Sequence, residues 1–155
     1  MLGRLNGMNN INWSYIAGLF DGEGTFTISK GRRKGYPDYS FEEIYITNSN
    51  KEVMDWLVGN FGGSVRITRY GDKKKNWKDV YKWFLPAKER KNFIENIVQF
   101  LIIKKKQAHL LLEFLSLIEA QNGKIRGIKG LTNAERLQRE NILTQIRTLN
   151  RRGVK

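Results

Sequence analysis

The stretch Trp13–Gly24, with the sequence WSYIAGLFDGEG, constrains the fold more than any other part of the chain. It begins with apolar residues and ends with two acids, each of which is followed by glycine. Asn12 suits the position that caps a helix N-terminus. Helical spacing predicts a short apolar helix whose apolar members are Tyr15, Ile16, Leu19 and Phe20.

Two glycines inside this helix indicate close packing against a second helix. Gly18 and Gly22 are four residues apart, so they lie on one face, with Ala17 beside them. A glycine costs about 1 kcal/mol in a helix interior relative to alanine, so a pair of glycines needs a structural reason. Because small side chains let two helix backbones approach closely, we expect this face to be a helix–helix interface.

Two acids, Asp21 and Glu23, stand where a helix normally carries positive charge. A helix C-terminus has partial negative charge and favours lysine or arginine. A departure from this rule without visible compensation suggests a functional site, and a bound divalent cation would supply the missing charge. The chain has no cysteine and one histidine, so hard oxygen ligands favour Mg²⁺ over zinc.

The charge of the chain indicates a polyanionic partner. Its 155 residues carry a formal net charge of +13, and 40% of them are hydrophobic, which suits one domain with a core. The charge favours nucleic acid as the partner, with an inert basic surface as the alternative. Absence of cysteine excludes disulfides and favours an intracellular location: cytoplasmic or nucleoid-associated, or organellar in a eukaryotic host. No apolar run reaches the ~18 residues of a membrane span, so no membrane partner is expected.

Alternation of polar and apolar residues predicts two β-hairpins. Thr25–Lys30 and Phe41–Thr47 form the first, around a basic turn at Gly31–Gly35. Val65–Thr68 and Lys78–Leu85 form the second. The side chains expected to face the core are Phe26, Ile28, Ile44, Ile46, Val65, Ile67, Tyr81 and Trp83.

Helical spacing predicts four further helices. They are Asn48–Phe61, ended by Gly62 and Gly63, then Lys91–Ile103, Gln107–Ala120, and a last helix from about Thr132 to Asn150. A capping box, Thr132 with Glu135, starts the last helix. Its packing residues are expected to be Leu137, Leu143, Ile146 and Leu149. The order α-ββ-α-ββ-α-α-α predicts an α+β fold with one antiparallel sheet.

The polar face of this sheet is a candidate for DNA binding. A two-stranded ribbon or a sheet can enter the major groove and contact base edges. An ordinary half-solvated sheet is the alternative, since antiparallel sheets commonly expose one face. Clustering of lysine and arginine at the hairpin tips favours DNA.

Residues 16–24, IAGLFDGEG, resemble the nine-residue signature of the LAGLIDADG homing endonucleases. They depart from it by Ile for the first Leu, Phe for Ile, Gly for the second Ala, and Glu for the final Asp. The predicted element order matches that family's fold over residues 12–120. One signature helix per chain resembles the homodimeric branch. The resemblance implies an interface made by Ala17, Gly18, Asp21 and Gly22 around a twofold axis.

The resemblance also implies the site residues. Glu23 matches the metal-binding acid, the Gly22 carbonyl matches an adjacent metal ligand, and Asp21 matches an acid that caps the partner helix. In LIIKKKQA, residues 101–108, Lys104 matches a catalytic lysine. In ITNSNK, residues 46–51, Asn48 matches a water-positioning amide and Lys51 is the candidate basic group. The alternatives are a solvated Glu23 and an Asn48 that only caps the next helix.

Positions on the outer face and in the basic turns are expected to contact DNA. Arginine and lysine can donate to guanine, glutamate can accept from cytosine, and other lysines suit phosphates. The expected contacts are Thr27, Ser29, Arg32, Arg33, Lys34, Glu43, Tyr45, Arg66, Thr68, Lys73, Lys74, Lys75, Lys78, Lys82 and Lys105.

The sequence and the resemblance together predict a homodimeric, site-specific endonuclease acting on double-stranded DNA. It would hydrolyse phosphodiesters with Mg²⁺ at a long, near-palindromic site and leave short 3′ overhangs, as an intron-encoded enzyme. The alternatives are an RNA maturase acting on intron RNA, a non-cleaving nucleic-acid-binding protein, and a plain basic RNA-binding protein. The expected organisation is a flexible lead-in (1–11), a core domain (12–120), and a basic linker with a C-terminal helix packed on the core (121–155).

Overall fold

The computed structural model describes residues 10–32, 34–35, 39–68, 78–121 and 131–151, and it confirms the predicted order of helices and strands. The helices are α1 (Asn10–Glu23), α2 (Lys51–Phe61), α3 (Arg90–Ile97), α4 (Lys105–Ala120) and α5 (Asn133–Asn150). The strands are β1 (Gly24–Gly31), β2 (Tyr39–Asn48), β3 (Ser64–Thr68) and β4 (Val80–Phe84). Short 3₁₀ turns precede and follow α3, at Ala87–Glu89 and Val98–Phe100.

The four strands form one sheet in the order β1-β2-β4-β3. Strand β4 pairs antiparallel with both β2 and β3, so that Tyr45 lies opposite Phe84 and Arg66 lies opposite Lys82. Buried and partly exposed residues alternate along β1 and β2, as expected for strands with one face on a core. The predicted inward positions Phe26, Ile28, Ile44, Ile46 and Trp83 are confirmed as buried.

The chain divides into two compact units, residues 1–25 with 44–103 and residues 26–43 with 104–155. Aromatic rings dominate the core of the first unit. The Phe93 ring lies 5.8 Å from Trp13, 5.3 Å from Phe20 and 5.1 Å from Phe61, measured between centroids. These tilted and edge-to-face contacts, together with Trp83, fix α1 and α3 within this unit.

The second unit is held by packing of α5 against α4. Ile142, Leu143 and Ile146 are buried on α5. The buried Arg139 donates from Nε to Gln121 Oε1 at 2.8 Å, and burial lowers the pKa of the Arg139 guanidinium while the charge of Glu135 opposes that shift.

Both ends of α5 are fixed by hydrogen bonds. The predicted capping box is confirmed, because Thr132 Oγ1 accepts from the Glu135 N–H and Glu135 Oε2 accepts from the Thr132 N–H. At the other end, Asn150 Nδ2 donates to the Phe26 carbonyl at 2.9 Å. The predicted partition into segments 1–11, 12–120 and 121–155 stays a prediction.

The turn after α2 confirms the role expected of Gly62 and Gly63. Both residues have positive φ, 71° and 94°, a conformation that other residues rarely adopt. The Gly62 N–H donates to the Val58 carbonyl, and the Gly62 carbonyl accepts from Trp83 Nε1 at 2.8 Å. A Cβ at Gly63 would overlap the Phe84 carbonyl oxygen, so only glycine fits beside β4.

Several predicted boundaries were wrong. Helix α1 begins at Asn10, so Asn12 lies inside the helix and does not cap it. Helix α2 begins at Lys51 rather than Asn48. Helix α3 ends at Ile97, and residues 101–104 form a bend instead of the end of a helix that reaches Ile103. Strand β4 begins at Val80, two residues after Lys78.

One residue of the predicted apolar helix and three predicted core residues are exposed. Tyr15 is 55% exposed, and its ring packs edge-to-face against the Trp56 ring, with the centroids 5.2 Å apart. Ile67 is exposed because it lies near the end of β3, which is an edge strand of the sheet. The α5 face that packs runs through Arg139, Ile142, Leu143 and Ile146, which leaves Leu137 and Leu149 outside it. Within the described residues, no helix has the length and apolar character that a membrane crossing requires.

Candidate active site and nucleic-acid interface

The C-terminal end of α1 carries the candidate metal-binding acid. Glu23 is the last residue of α1 and is exposed, as is Gly22, while Gly24 starts β1 and is buried. A Cβ at Gly24 would overlap the Phe20 side chain and backbone. Glycine at position 24 therefore lets the chain pass from helix to strand without a connecting loop, which places the Glu23 carboxylate at the junction of the two.

Asp21 has a partner that the sequence did not reveal. Its carboxylate accepts two backbone hydrogen bonds, from the Ile102 N–H at 2.8 Å and from the Ile103 N–H at 3.1 Å. The two N–H groups compensate the negative charge of Asp21 at the C-terminus of α1, because a carboxylate forms strong hydrogen bonds with backbone donors. The Asp21 carboxylate thus holds the bend at residues 101–104 of its own chain. The predicted cap on a partner helix stays a prediction.

The outer face of α1 is open. Gly18 and Gly22 are exposed, and a Cβ added to either would meet no atom of the described residues within 4 Å. Ala17 is 0% exposed and belongs to the core of its own chain, so its predicted place in a dimer interface was wrong. The reason is the helical period, which turns position 17 about 100° away from position 18.

Asn48 and Lys51 lie on either side of the junction between β2 and α2. Asn48 Oδ1 accepts from the Asn50 N–H at 2.8 Å, and Asn50 caps α2 by accepting from the Glu52 and Val53 N–H groups. The alternative that Asn48 only caps the helix was therefore wrong, since Asn50 does so. The Asn48 roles in water positioning and catalysis stay predictions.

Lys51 is engaged by an acid on its own helix. Its Nζ lies 2.7 Å and 3.0 Å from the two carboxylate oxygens of Asp55, and the side chain is 64% exposed. The hydrogen bond and the charge of Asp55 raise the pKa of Lys51, so it is a cation at neutral pH. Its predicted catalytic role stays a prediction.

Lys104 precedes α4 directly and is partly buried. Its carbonyl accepts from the Ala108 N–H at 3.0 Å, as the first intrahelical bond of α4. Glu23, Gly22, Asn48 and Lys51 belong to the first unit. Lys104 belongs to the second unit, as the first residue of its segment 104–155. Chain connectivity nevertheless joins Lys104 directly to Ile103, which Asp21 holds.

The described residues of one chain contain no cluster of three His, Asp or Glu side chains suited to a metal. The exposed Glu23 carboxylate and the Gly22 carbonyl fit a hard divalent cation as oxygen donors, but two donors make an incomplete site. Further oxygen ligands would come from a second copy of Glu23 or from phosphate groups.

The outer sheet face carries polar and basic side chains, as predicted. Partly exposed positions on the strands are Thr27, Ser29, Glu43, Tyr45 and Lys82. Exposed positions are Arg66 on β3 and, outside the strands, Arg32, Lys34, Lys78 and Lys105. Ser29 Oγ donates to Glu43 Oε2 at 2.6 Å, which joins two of these positions across β1 and β2. Predicted contacts outside the described residues are Arg33, Lys73, Lys74 and Lys75, together with the side chain of Thr68. The DNA-contact assignments themselves stay predictions.

Sequence reasoning missed Phe84 on this face. The Lys82 ammonium lies 3.4 Å from the centroid of the Tyr45 ring and 4.9 Å from that of Phe84, and the Arg66 guanidinium carbon lies 4.8 Å from the Phe84 centroid. The alternation of β4 contained the signal, since Phe84 is two residues after Lys82 and must share its face.

Comparisons with known proteins agree with this architecture. A family model described as a LAGLIDADG-like domain matches residues 11–116. A search of curated protein sequences finds no significant match to this chain.

Solved structures of homing endonucleases have the same fold. A crystal structure of I-CvuI in complex with its target in the presence of calcium matches at TM-score 0.71 and 14% identity, covering 94% of this chain and 85% of that one. A second I-CvuI complex, with an I-CreI target and magnesium, matches at TM-score 0.72 and 12% identity, with the same coverage. The archaeal intron-encoded I-Vdi141I complexed with DNA matches at TM-score 0.72 and 17% identity, covering 94% of this chain and 88% of that one. With the family model spanning most of the sequence, these findings show that the chain belongs to the LAGLIDADG family.

Proposed function

We propose that this protein is a homing endonuclease: a homodimer that binds a long, near-palindromic site in double-stranded DNA and hydrolyses one phosphodiester in each strand, leaving short 3′ overhangs. The observation that carries the proposal is the exposed Glu23 carboxylate at the end of α1, next to the open face at Gly18 and Gly22. A net charge of +13 and the basic outer sheet face support DNA as the substrate. The complexes of I-CvuI and I-Vdi141I with DNA support it further.

The proposed dimer meets through the open face of α1. Two copies of Gly18 and Gly22 facing each other about a twofold axis form an isologous contact in which the helix backbones approach closely. The same axis brings two Glu23 carboxylates toward each other, where their negative charges repel. Divalent cations offset that repulsion, so the proposed dimer contact and the proposed metal site depend on each other.

Glu23 and the Gly22 carbonyl are the proposed ligands of Mg²⁺. A divalent cation held there would act as a Lewis acid on the phosphoryl oxygen and would lower the pKa of a water bound to it. Calcium or magnesium in the I-CvuI complexes supports a divalent cation of this class.

Three further side chains have proposed roles in the reaction. Lys104 stabilises negative charge on the phosphoryl group as the bond to the leaving 3′ oxygen breaks. Asn48 orients water through its amide N–H₂ group, since its Oδ1 already accepts from the Asn50 N–H. Lys51 supplies a second cation, and the hydrogen bond and charge of Asp55 raise its pKa further above neutral pH. We place the enzyme inside the cell, where its DNA substrate is.

A cleavage experiment tests the proposal. A randomised library of inverted-repeat duplexes is incubated with Mg²⁺ and either the wild-type protein, the Glu23→Gln variant or the Glu95→Gln variant. Glu95 is an exposed acid on α3 and serves as the matched control. We expect the wild type and Glu95→Gln to cut the same selected sequences, and Glu23→Gln to bind those sequences without cutting them.

The opposite result would be selective binding with no cleavage by the wild type under any divalent cation. That outcome would leave a non-cleaving DNA-binding protein or an RNA maturase, and a splicing assay with intron RNA would separate those two.

A further inference from the structure

Four side chains from three neighbouring strands form one cluster on the outer sheet face. We call Tyr45, Arg66, Lys82 and Phe84 the cation–ring cluster. The two rings lie 5.7 Å apart, on β2 and β4, and the two cations lie opposite each other on β3 and β4. The Lys82 ammonium contacts both ring faces, and the Arg66 guanidinium contacts the Phe84 face.

Sheet stability alone does not account for this cluster. Arg66 and Lys82 are directly opposite each other on paired strands, and like charges in that register destabilise a sheet. Among the described residues, no carboxylate forms a salt bridge with either cation. The ring faces offset part of the repulsion by cation–π attraction, yet an uncharged residue at either position would remove it entirely. A local conflict of this kind is typical of a binding surface.

The rings also restrict the two cations. Lysine and arginine lose much rotamer freedom when a ligand orders them, and a side chain already held in place loses less. A phosphate contact needs only positive charge, which a mobile surface lysine provides. A base contact needs donors at fixed positions, and the guanine O6 and N7 atoms accept such donors in the major groove.

We infer that Phe84, together with Tyr45, is a positioning residue that holds Lys82 and Arg66 as a fixed pair of donors selecting guanine in the target. This inference rests on the proposed function, because it requires the outer sheet face to lie in the major groove of DNA. Phe84 acts through the two cations and needs no contact with the DNA itself.

Base-preference profiles test the inference. Duplexes bound by the wild type are selected from the randomised inverted-repeat library without cleavage, in calcium, and the preference at each position is compared between variants. Lys82→Met keeps the apolar stem and removes the charge, and we expect the guanine preference at one symmetry-related pair of positions to fall by about tenfold. Phe84→Leu keeps every charge, and we expect a fall of about two- to fivefold at the same positions.

The salt dependence of binding separates positioning from simple charge. Because Phe84→Leu removes no cation, the slope of log affinity against log salt should equal that of the wild type. Phe84→Tyr keeps the ring face and should restore the wild-type profile. Phe41→Leu removes a ring from the same side of β2, in the pair Tyr39–Phe41, and is the control that should leave these positions unchanged. Circular dichroism checks the fold of each variant.

One result with Lys82 and two results with Phe84 would overturn the inference alone. A fourth result, with the wild type, would overturn the proposed function as well. If Lys82→Met weakens binding to all sequences equally and lowers the salt slope by about one, Lys82 contacts phosphate and selects nothing. If Phe84→Leu keeps the wild-type profile, or Phe84→Tyr does not restore it, Phe84 does not position the cations. If the wild type selects no duplex at all, the proposed function fails and this inference fails with it.

Discussion

The Asp21 carboxylate accepts a hydrogen bond from the backbone N–H of Ile102 at 2.8 Å, across 81 residues of sequence. A second bond, from the Ile103 N–H, makes the contact bidentate. One side chain thus joins the end of the signature helix to the bend that leads into Lys104. Asp21 and Glu23 are two residues apart and have different roles. The Asp21 carboxylate accepts hydrogen bonds within its own chain, whereas the exposed Glu23 is the proposed metal ligand.

Removing the Asp21 carboxylate should loosen this bend. We expect Asp21→Ala to lower the free energy of unfolding by about 1–3 kcal/mol, because two backbone donors lose a charged acceptor. The amide N–H groups of Ile102 and Ile103 should exchange with solvent faster, as measured by hydrogen exchange. Asp21→Asn keeps one acceptor oxygen, so its exchange rates should lie between those of the wild type and those of Asp21→Ala. Asp79 is exposed and accepts no such bond from the described residues, so Asp79→Asn is the control. Equal exchange in all four proteins would contradict the prediction.

A large side chain on the open face of α1 should separate the proposed dimer. A Cβ at Gly18 meets no atom of the described residues within 4 Å, so we expect the Gly18→Leu chain to fold, and helix propensity should favour leucine by about 0.8 kcal/mol. We expect analytical ultracentrifugation to give the monomer mass. Gly59 on α2 is equally open, and Gly59→Leu should keep the mass of the wild type. A dimeric Gly18→Leu protein would place the interface elsewhere.

The turn at Gly63 should not accept alanine. Its φ of 94° is unfavourable for any other residue, and a Cβ would overlap the Phe84 carbonyl. We expect Gly63→Ala to destabilise the fold by more than about 1 kcal/mol in urea denaturation. Gly35 also has a positive φ, 80°, but open space around its Cβ position, so Gly35→Ala isolates the backbone cost. Equal losses in both variants would show that the contact with Phe84 adds nothing.

The Lys51–Asp55 pair gives a prediction about pH. Asp55 raises the pKa of Lys51 above its ordinary value of 10.5, mainly through the hydrogen bond and then through its charge. A raised pKa in the folded state stabilises the fold below the unfolded pKa, and that stabilisation is lost as pH rises through the folded pKa. Asp55→Asn should lower the Lys51 pKa, as followed by NMR titration of its ε-methylene group in the alkaline range. An unchanged titration would mean that the pair does not form in solution.

The sequence predicted the element order because hydrophobic period and helix caps are local signals. The alternation in β1 and β2, the capping box at Thr132 and the glycines after α2 all act over a few residues. The residues on the exposed face of α1 were predicted only in part. Gly18 and Ala17 are both small, so both were assigned to that face. Ala17 is one helical step away from Gly18 and lies in the core instead.

The partners of charged residues could not be predicted, because they depend on tertiary contacts. Nothing near Asp21 in sequence points to the N–H groups of Ile102 and Ile103. A sequence pattern does not show which backbone N–H groups a side chain will meet, so Asp21 was assigned only to a cap on a partner helix. The end of α3 was missed for a related reason, since the apolar Ile102 and Ile103 continue the helical pattern but are 86% and 70% exposed.

The hydrogen bond from Asn150 to Phe26 has a consequence for synthesis on the ribosome. Residues 26–43 and 104–155 form one unit, yet 60 residues separate these two segments. At about 5–20 residues per second, the first segment is made roughly 3–12 seconds before the second begins to emerge. During that interval Phe26 and Ile28 lack the helices that share their unit, so the nascent hairpin exposes apolar side chains. The newborn chain should therefore be a client for chaperones until α5 is complete.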